Sequence, residues 1–124
     1  MASPVNSSGL LQVDNDGGGG VTLVAPFSFT AGRSAVFSLS HYGIGQQISS
    51  VTIGGTVAVL DSARNKFQTS DASVRIYRAT NMVGGTNQIV IAYDGGSDHY
   101  ISGGVDEWDG LLSVLTDTPN NAEG

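Results

Sequence analysis

The sequence predicts an all-β protein, a two-sheet antiparallel β-sandwich of about eight strands with a jelly-roll or immunoglobulin-like topology. Three observations predict this class. The chain has 18 glycines but only one lysine, two glutamates and two methionines, which suits short strands and tight turns better than helices. Apolar and polar residues alternate at a period of two in several segments. Turn signals between those segments recur roughly every 8 to 12 residues.

The clearest pair of strands is residues 48–60, ISSVTIGGTVAVL, with its turn at Gly54-Gly55. A two-residue loop would place the valines of the second strand on the opposite face from Val51 and Ile53. A three-residue loop, 54–56, with one glycine at positive φ would pair Ile53 with Val57 and Val51 with Val59. We therefore predict this bulged hairpin, with all four side chains on one buried face.

The chain divides into three parts. Residues 1–20 are polar and glycine-rich and predict an extended N-terminal arm, residues 21–116 form the sandwich, and residues 117–124 are a polar C-terminal tail. The arm's aliphatic side chains are the candidates for contact with a partner: Val5, Leu10, Leu11 and Val13. They bury too little to offset roughly 1 to 2 kcal/mol of backbone entropy per ordered residue, so we expect a neighbouring subunit to order the arm.

The remaining strands follow from the alternation. They are predicted at residues 21–29, 35–40, 73–79, 88–93, 99–108 and 111–115. Pro26 restricts the first of these to an edge or a break, and Gly103-Gly104 suggests a bulge in the fifth. In the third, Val74 and Ile76 predict an apolar face, and Arg75 and Tyr77 a wet one. The polar segment 62–72 predicts a loop.

The charge balance limits the classes of partner. Five basic and eleven acidic residues give a net charge of −6, which opposes binding to nucleic acid and to anionic membranes. The absence of cysteine excludes a disulfide scaffold. The N-terminal MASPVNSSGLL lacks a signal-peptide pattern, and no apolar run reaches the roughly 18 residues of a membrane helix. We expect a protein made in the host cytoplasm, with neither a signal peptide nor a membrane anchor.

Catalytic chemistry has few candidates in this sequence. His41 and His99 each precede a tyrosine and would serve as general base or metal ligand, but polar residues at strand ends explain them equally simply. The sequence contains no G-x-S-x-G, H-E-x-x-H or P-loop motif. We therefore expect a protein that is not an enzyme and has no cofactor.

Two other groups of residues are candidate binding sites. Acidic residues concentrate near the C-terminal end of the sandwich, and the candidate calcium ligands among them are Asp94, Asp98, Asp106 and Asp109. Because calcium-loop spacing is missing, we favour solvated turn residues and expect no metal. We favour burial of Trp108 in a core or interface, with Trp108 and Tyr100 as the aromatic platform for a carbohydrate in the alternative interpretation.

About half of the chain resembles a known type of module. The segments SSVTIGGTVAVL, VRIYRATNMVGGTNQIVIAY and YISGGVDEWDGLL, within residues 48–112, are similar in order to β-sandwich modules of bacteriophage structural proteins and bacterial surface proteins. The resemblance implies a fold and a habitat, and it transfers no catalytic residue. Modules of this kind resemble capsid decoration or cement proteins, tail and fibre domains, and carbohydrate-binding or adhesive modules.

The sequence thus predicts a virion structural protein, a capsid decoration or cement subunit of a phage particle. It is expected to form a homo-oligomer and to contact the major capsid protein or another virion protein. The alternatives are a carbohydrate-binding or adhesive β-sandwich module and a tail or fibre domain.

Overall fold

The computed structural model describes residues 3–15, 20–44, 48–66, 72–93 and 97–110, which form ten strands and no helix. The strands are β1 (Asn6–Ser7), β2 (Leu11–Asn15), β3 (Gly20–Val24), β4 (Ser34–Ile44), β5 (Ile48–Ile53), β6 (Thr56–Val57), β7 (Val59–Lys66), β8 (Ala72–Ala79), β9 (Gln88–Tyr93) and β10 (Ser97–Trp108). Within these ranges nothing could span a membrane as a helix. The predicted all-β class is confirmed. The predicted strand 111–115 and the tail 117–124 lie outside the described residues.

The strands form two antiparallel sheets, as expected of a β-sandwich. Sheet A has six strands in the order β1-β10-β4-β8-β7, with β2 also pairing with β10, and sheet B has four in the order β3-β9-β5-β6. β1 and β2 occupy successive stretches of the same edge of β10. The ladder between β10 and β4 runs from Ser97 to Trp108. The long strand β10 thus pairs with three of the other five strands of sheet A, namely β1, β2 and β4.

The core lies between the two sheets and is filled by alternate residues of their strands. Its fully buried side chains include Phe37 and Val105 of sheet A and Val51, Ile53 and Ile91 of sheet B. Their neighbours in sequence point to the outer faces, which is the period of two that the sequence displays. The outer faces are therefore well defined for each strand.

The predicted register of the Gly54-Gly55 hairpin is wrong. Ile53 pairs with Thr56 and Thr52 with Val57, so the loop has two residues, and both glycines have positive φ (57° and 80°). Two successive residues at positive φ make a type I′ turn, whose twist fits a two-residue hairpin. Val57 is consequently 70% exposed. After Ala58 the chain crosses from sheet B to sheet A, which explains why the apolar pattern did not continue on one face.

Three other expectations, about β7, β8 and β10, are also wrong. β7 continues through residues 62–66, which were predicted as part of a loop. In β8 the buried face is the one with Tyr77, which is 4% exposed, whereas Val74 and Ile76 are 55% and 38% exposed. The apolar valine and isoleucine therefore lie on the outer face of sheet A. Gly103-Gly104 forms no bulge, since the ladder with β4 is continuous there; the irregularity lies between Ser97 and His99.

The N-terminal segment forms part of sheet A in its own chain. The amide of Val5 donates to the Glu107 carbonyl, and the amide of Ser8 donates to the Val105 carbonyl, at 2.7 and 2.9 Å. Leu11 and Val13 of β2 are partly buried against the core, whereas Val5 and Leu10 are 44% and 71% exposed. Strand pairing with β10 thus supplies the order that the sequence analysis assigned to a neighbouring subunit.

Candidate interaction surfaces

The most buried charge in the described structure is the carboxylate of Glu107, which is fully inaccessible to solvent. Its Oε1 accepts from the Asn6 side-chain amide at 2.7 Å, and its Oε2 accepts from the Thr30 backbone amide at 2.7 Å. The Arg33 guanidinium is 3.4 Å from Oε1. Glu107 therefore joins three parts of the chain: the N-terminal strand β1, the β3–β4 connection and β10.

This arrangement uses the carboxylate for structure. A buried carboxylate is tolerated where hydrogen bonds and an opposite charge replace its water, and Glu107 has both. Arg33 is held in turn by its backbone, whose carbonyl accepts from the Met82 amide at 2.9 Å. In the sequence, Glu107 is only one of the several acidic residues near the C-terminal end of the sandwich. The signal that identifies it is the alternation along β10: Glu107 is an even number of residues from the buried Ile101 and Val105, so it lies on the same inward face.

The outer face of sheet B is an uncharged surface rich in β-branched side chains. Val57, Thr52, Val90 and Thr22 lie directly opposite one another across β6, β5, β9 and β3 and form one continuous row. Val57 and Val90 are 70% and 41% exposed, and Val24 beside them is 55% exposed. Exposed aliphatic residues are ordinary when scattered, but here they are aligned on one sheet.

Charge is distributed very unevenly between the two sheets. The four strands of sheet B contain no Asp, Glu, Lys, Arg or His, whereas every charged strand residue belongs to sheet A. On the outer side of sheet A, for example, Arg78 binds Asp61 through two hydrogen bonds of 2.8 and 3.1 Å, which raises the pKa of the arginine. In a chain with a net charge of −6, the outer face of sheet B is thus the surface with the least electrostatic repulsion.

A second surface lies on the outer face of sheet A, where Tyr100 of β10 is directly opposite Tyr42 of β4. The ring centroids are 6.2 Å apart and the planes are tilted by 48°, while Tyr100 remains 53% exposed. In the next row of the same face, Ser102 lies between Ser40 and Gln12. We call these five residues the tyrosine trough.

Two depressions are lined by successive stretches of β10. One, of about 340 Å³, is lined by Gln12, Tyr100 and Ser102. The other, of about 450 Å³, is lined by Leu10, Ser38, Gly104 and Asp106. A Cβ at Gly104 would lie 3.0 Å from the Gly9 carbonyl oxygen, so glycine permits the close crossing of the N-terminal segment here. Glycine and serine residues make up most of the lining of this second depression.

Trp108 does not join Tyr100 in an aromatic platform. Both side chains belong to the outer side of β10, but eight residues separate them, or about 26 Å of extended strand. The indole Nε1 of Trp108 is buried and has no hydrogen-bond acceptor within the part of the chain that the structure describes. Their positions along one strand keep the two candidate carbohydrate contacts apart, so they do not form a single contiguous aromatic surface.

Of the four aspartates named as candidate calcium ligands, the structure describes the side chains of Asp106 and Asp109 only, and it does not bring these two to a common metal position. Asp94 lies outside the described residues, and the same is true of the side chain of Asp98. Asp106 lies within β10, whereas Asp109 follows the strand, with its carboxylate 3.9 Å from the Arg33 Nε and 85% exposed. Among the described side chains no three potential ligands converge on a metal position.

The histidines offer no exposed base within the described residues. His41 is 3% exposed and stacks on Tyr93, with ring centroids 5.9 Å apart and an interplanar angle of 27°. Burial raises the pKa of Tyr93 to about 12, so its hydroxyl stays protonated at neutral pH. This pair fills the end of the core. The side chain of His99 lies outside the described residues.

The chain matches no model of a protein family, and no curated protein matches it significantly. The two outer faces are accordingly the basis for a functional assignment.

Proposed function

We propose that the protein is a non-enzymatic virion structural subunit that decorates a phage capsid as a homo-oligomer, with the outer face of sheet B as the contact between subunits. The observation that carries the proposal is the uncharged row of Val57, Thr52, Val90 and Thr22 in a chain with a net charge of −6. The virion setting rests on the resemblance of residues 48–112 to phage structural modules.

A second copy of the chain is the occupant that fits this face. Acidic copies repel wherever their charged surfaces meet, and sheet B is the face on which they approach without like charges. Burial of exposed valines contributes roughly 25 cal/mol per Å² of apolar surface removed from water. The flat sheet also permits a two-fold contact in which the same row meets itself. Oligomers of this kind attach to the major capsid protein at several points at once, which strengthens attachment.

The attachment is tested by fractionating a culture that produces the protein naturally on a density gradient. The protein is expected to co-sediment with the particles. It should appear in the same band whether the particles are taken from lysed cells or from the culture medium after their release. A double variant, Val57→Asp with Val90→Asp, is expected to reduce the bound amount at least about tenfold, because loss of the oligomer removes multivalent attachment. Val74→Asp is the matched control, since Val74 is a 55% exposed valine of sheet A.

Two results would overturn this function. One is recovery of the wild-type protein only from fractions without particles. The other is equal particle binding by the double variant and by the Val74→Asp control, which would show that the sheet B face takes no part.

A further inference from the structure

We propose that the tyrosine trough on the outer face of sheet A binds a neutral oligosaccharide. The trough consists of Tyr42, Tyr100, Gln12, Ser40 and Ser102 and lies on the opposite side of the sandwich from the sheet B face. The same particle subunit would thus carry one face for its neighbours and one for a glycan.

The two tyrosines provide the apolar part of the site. They are held directly opposite each other by the β4–β10 ladder, and their rings are 6.2 Å apart at an angle of 48°. Two tilted rings form a shallow cleft instead of a flat stack. The C–H face of a pyranose ring is apolar and packs against aromatic rings, while the phenol hydroxyls stay at the wet edge. Tyr100, being 53% exposed, is available for such a contact.

The adjoining row provides hydrogen bonds without charge. Ser40 and Ser102 each carry a hydroxyl that both donates and accepts, and the amide of Gln12 does the same through two different atoms. These three side chains lie in one line across β4, β10 and β2, next to the tyrosine row. Sugar hydroxyls require this combination of donors and acceptors, and a concave site with a few polar groups is the usual form of a ligand site.

The charge and shape of the trough define the ligand class. On β4 and β10 the residues of the tyrosine row and of the Ser40–Ser102 row are uncharged, whereas Asp14 of β2 is in register with Tyr100 and Asp106 lines the second depression. These two acids, together with the net charge of −6, disfavour anionic polysaccharides and leave neutral ones as the ligand class. The depression beside Tyr100 measures about 340 Å³, and a second one of about 450 Å³ is lined by residues farther along β10. This elongated form suits several linked sugars lying along the strand better than a single monosaccharide.

Affinity electrophoresis tests the proposal with native gels that each contain one soluble polysaccharide. The neutral probes are mixed-linkage β-glucan, xylan, galactomannan and dextran, and alginate is the anionic probe. Retardation is expected with at least one neutral probe, and Tyr42→Ala and Tyr100→Ala should each weaken it about tenfold. Val59→Ser is the control and should bind as the wild type does, because Val59 is 56% exposed on β7, the edge strand of sheet A that lies farthest from β10.

A variant that keeps both tyrosines guards against effects on folding. Ser40→Gln places a longer, uncharged side chain directly opposite Ser102 and next to the tyrosine row. It is expected to abolish retardation while leaving the melting temperature close to that of the wild type, because Ser40 is exposed. The proposal is overturned by the absence of retardation in all four neutral gels, or by retardation in alginate alone. It is also overturned if the tyrosine variants and Ser40→Gln bind as tightly as the wild type.

Discussion

Replacement of Glu107 by alanine is expected to destabilise the fold by about 2 to 4 kcal/mol, because a fully buried side chain is lost and three partly buried donors lose an acceptor. The substitution leaves the Asn6 amide, the Thr30 backbone amide and the Arg33 guanidinium without their acceptor. These donors are only partly buried, so water replaces some of the lost hydrogen bonds and each donor costs about 0.5 to 1.5 kcal/mol. Urea unfolding should show a lower midpoint with an unchanged slope.

Glu107→Gln and Asp106→Ala sharpen this test. Glutamine has the same shape as glutamate, but one of its two terminal atoms is an amide nitrogen, which cannot accept a hydrogen bond from the donors around it. We therefore expect an intermediate decrease in the free energy of unfolding, of about 1 to 3 kcal/mol. Asp106→Ala removes the neighbouring acid on the outer face and should change stability by at most about 0.5 kcal/mol. If Glu107→Ala unfolds at the same urea concentration as Asp106→Ala, then the carboxylate does not hold the three segments together.

Deletion of residues 1–15 is expected to cost on the order of 4 kcal/mol. The truncation removes β1 and β2, and with them the backbone bonds from Val5 and Ser8 to β10. It also exposes the core beside Leu11 and Val13, which are partly buried. Apolar burial of two aliphatic side chains contributes roughly 2 to 3 kcal/mol, and the lost hydrogen bonds add about 1 kcal/mol each before relaxation.

Thermal unfolding checks this expectation. For a chain of this size, 4 kcal/mol corresponds to a decrease in Tm of more than about 10 °C. Deletion of residues 1–3, which precede β1, is the control and should leave Tm unchanged. An independent arm, as the sequence analysis assumed, would instead give the longer truncation the same Tm as the full chain, and that result would contradict the pairing of β1 and β2 with β10.

The fold class was predictable because it depends on local signals. Alternation at a period of two identifies strands such as β9, and glycine pairs identify turns. Which face of a strand is buried is a tertiary property. In β8 the sequence alternates Val74 and Ile76 with Arg75 and Tyr77, and the aromatic residue went inside because a tyrosine offers more apolar surface to a core than its hydroxyl costs.

The hairpin register failed for a related reason. Gly54-Gly55 is compatible with loops of two or three residues, and the choice was made by requiring Val57 to be buried. The structure instead exposes Val57 in the row with Val90. A face intended for contact with another molecule follows the same apolar rule as a core, so the sequence of one chain does not distinguish them.

The candidate sites depend on long-range register, which the sequence does not contain. Tyr42 and Tyr100 meet only because β4 and β10 pair at those positions, although the residues are far apart in the chain. Trp108 attracted attention as the single tryptophan, yet it lies at the other end of β10. Glu107 was concealed among neighbouring acids, and only its position on the inward side of the strand distinguishes it.

Sedimentation of the purified protein tests the central claim, that sheet B forms a contact between identical subunits, most directly. In analytical ultracentrifugation at about 50 μM chain, the wild type and the Val74→Asp variant are expected to sediment as oligomers of the 12.7 kDa chain. The Val57→Asp, Val90→Asp double variant is expected to sediment as a monomer, because each two-fold contact would then bring four added carboxylates together. A monomeric wild type, or an oligomer that persists in the double variant, would contradict the claim.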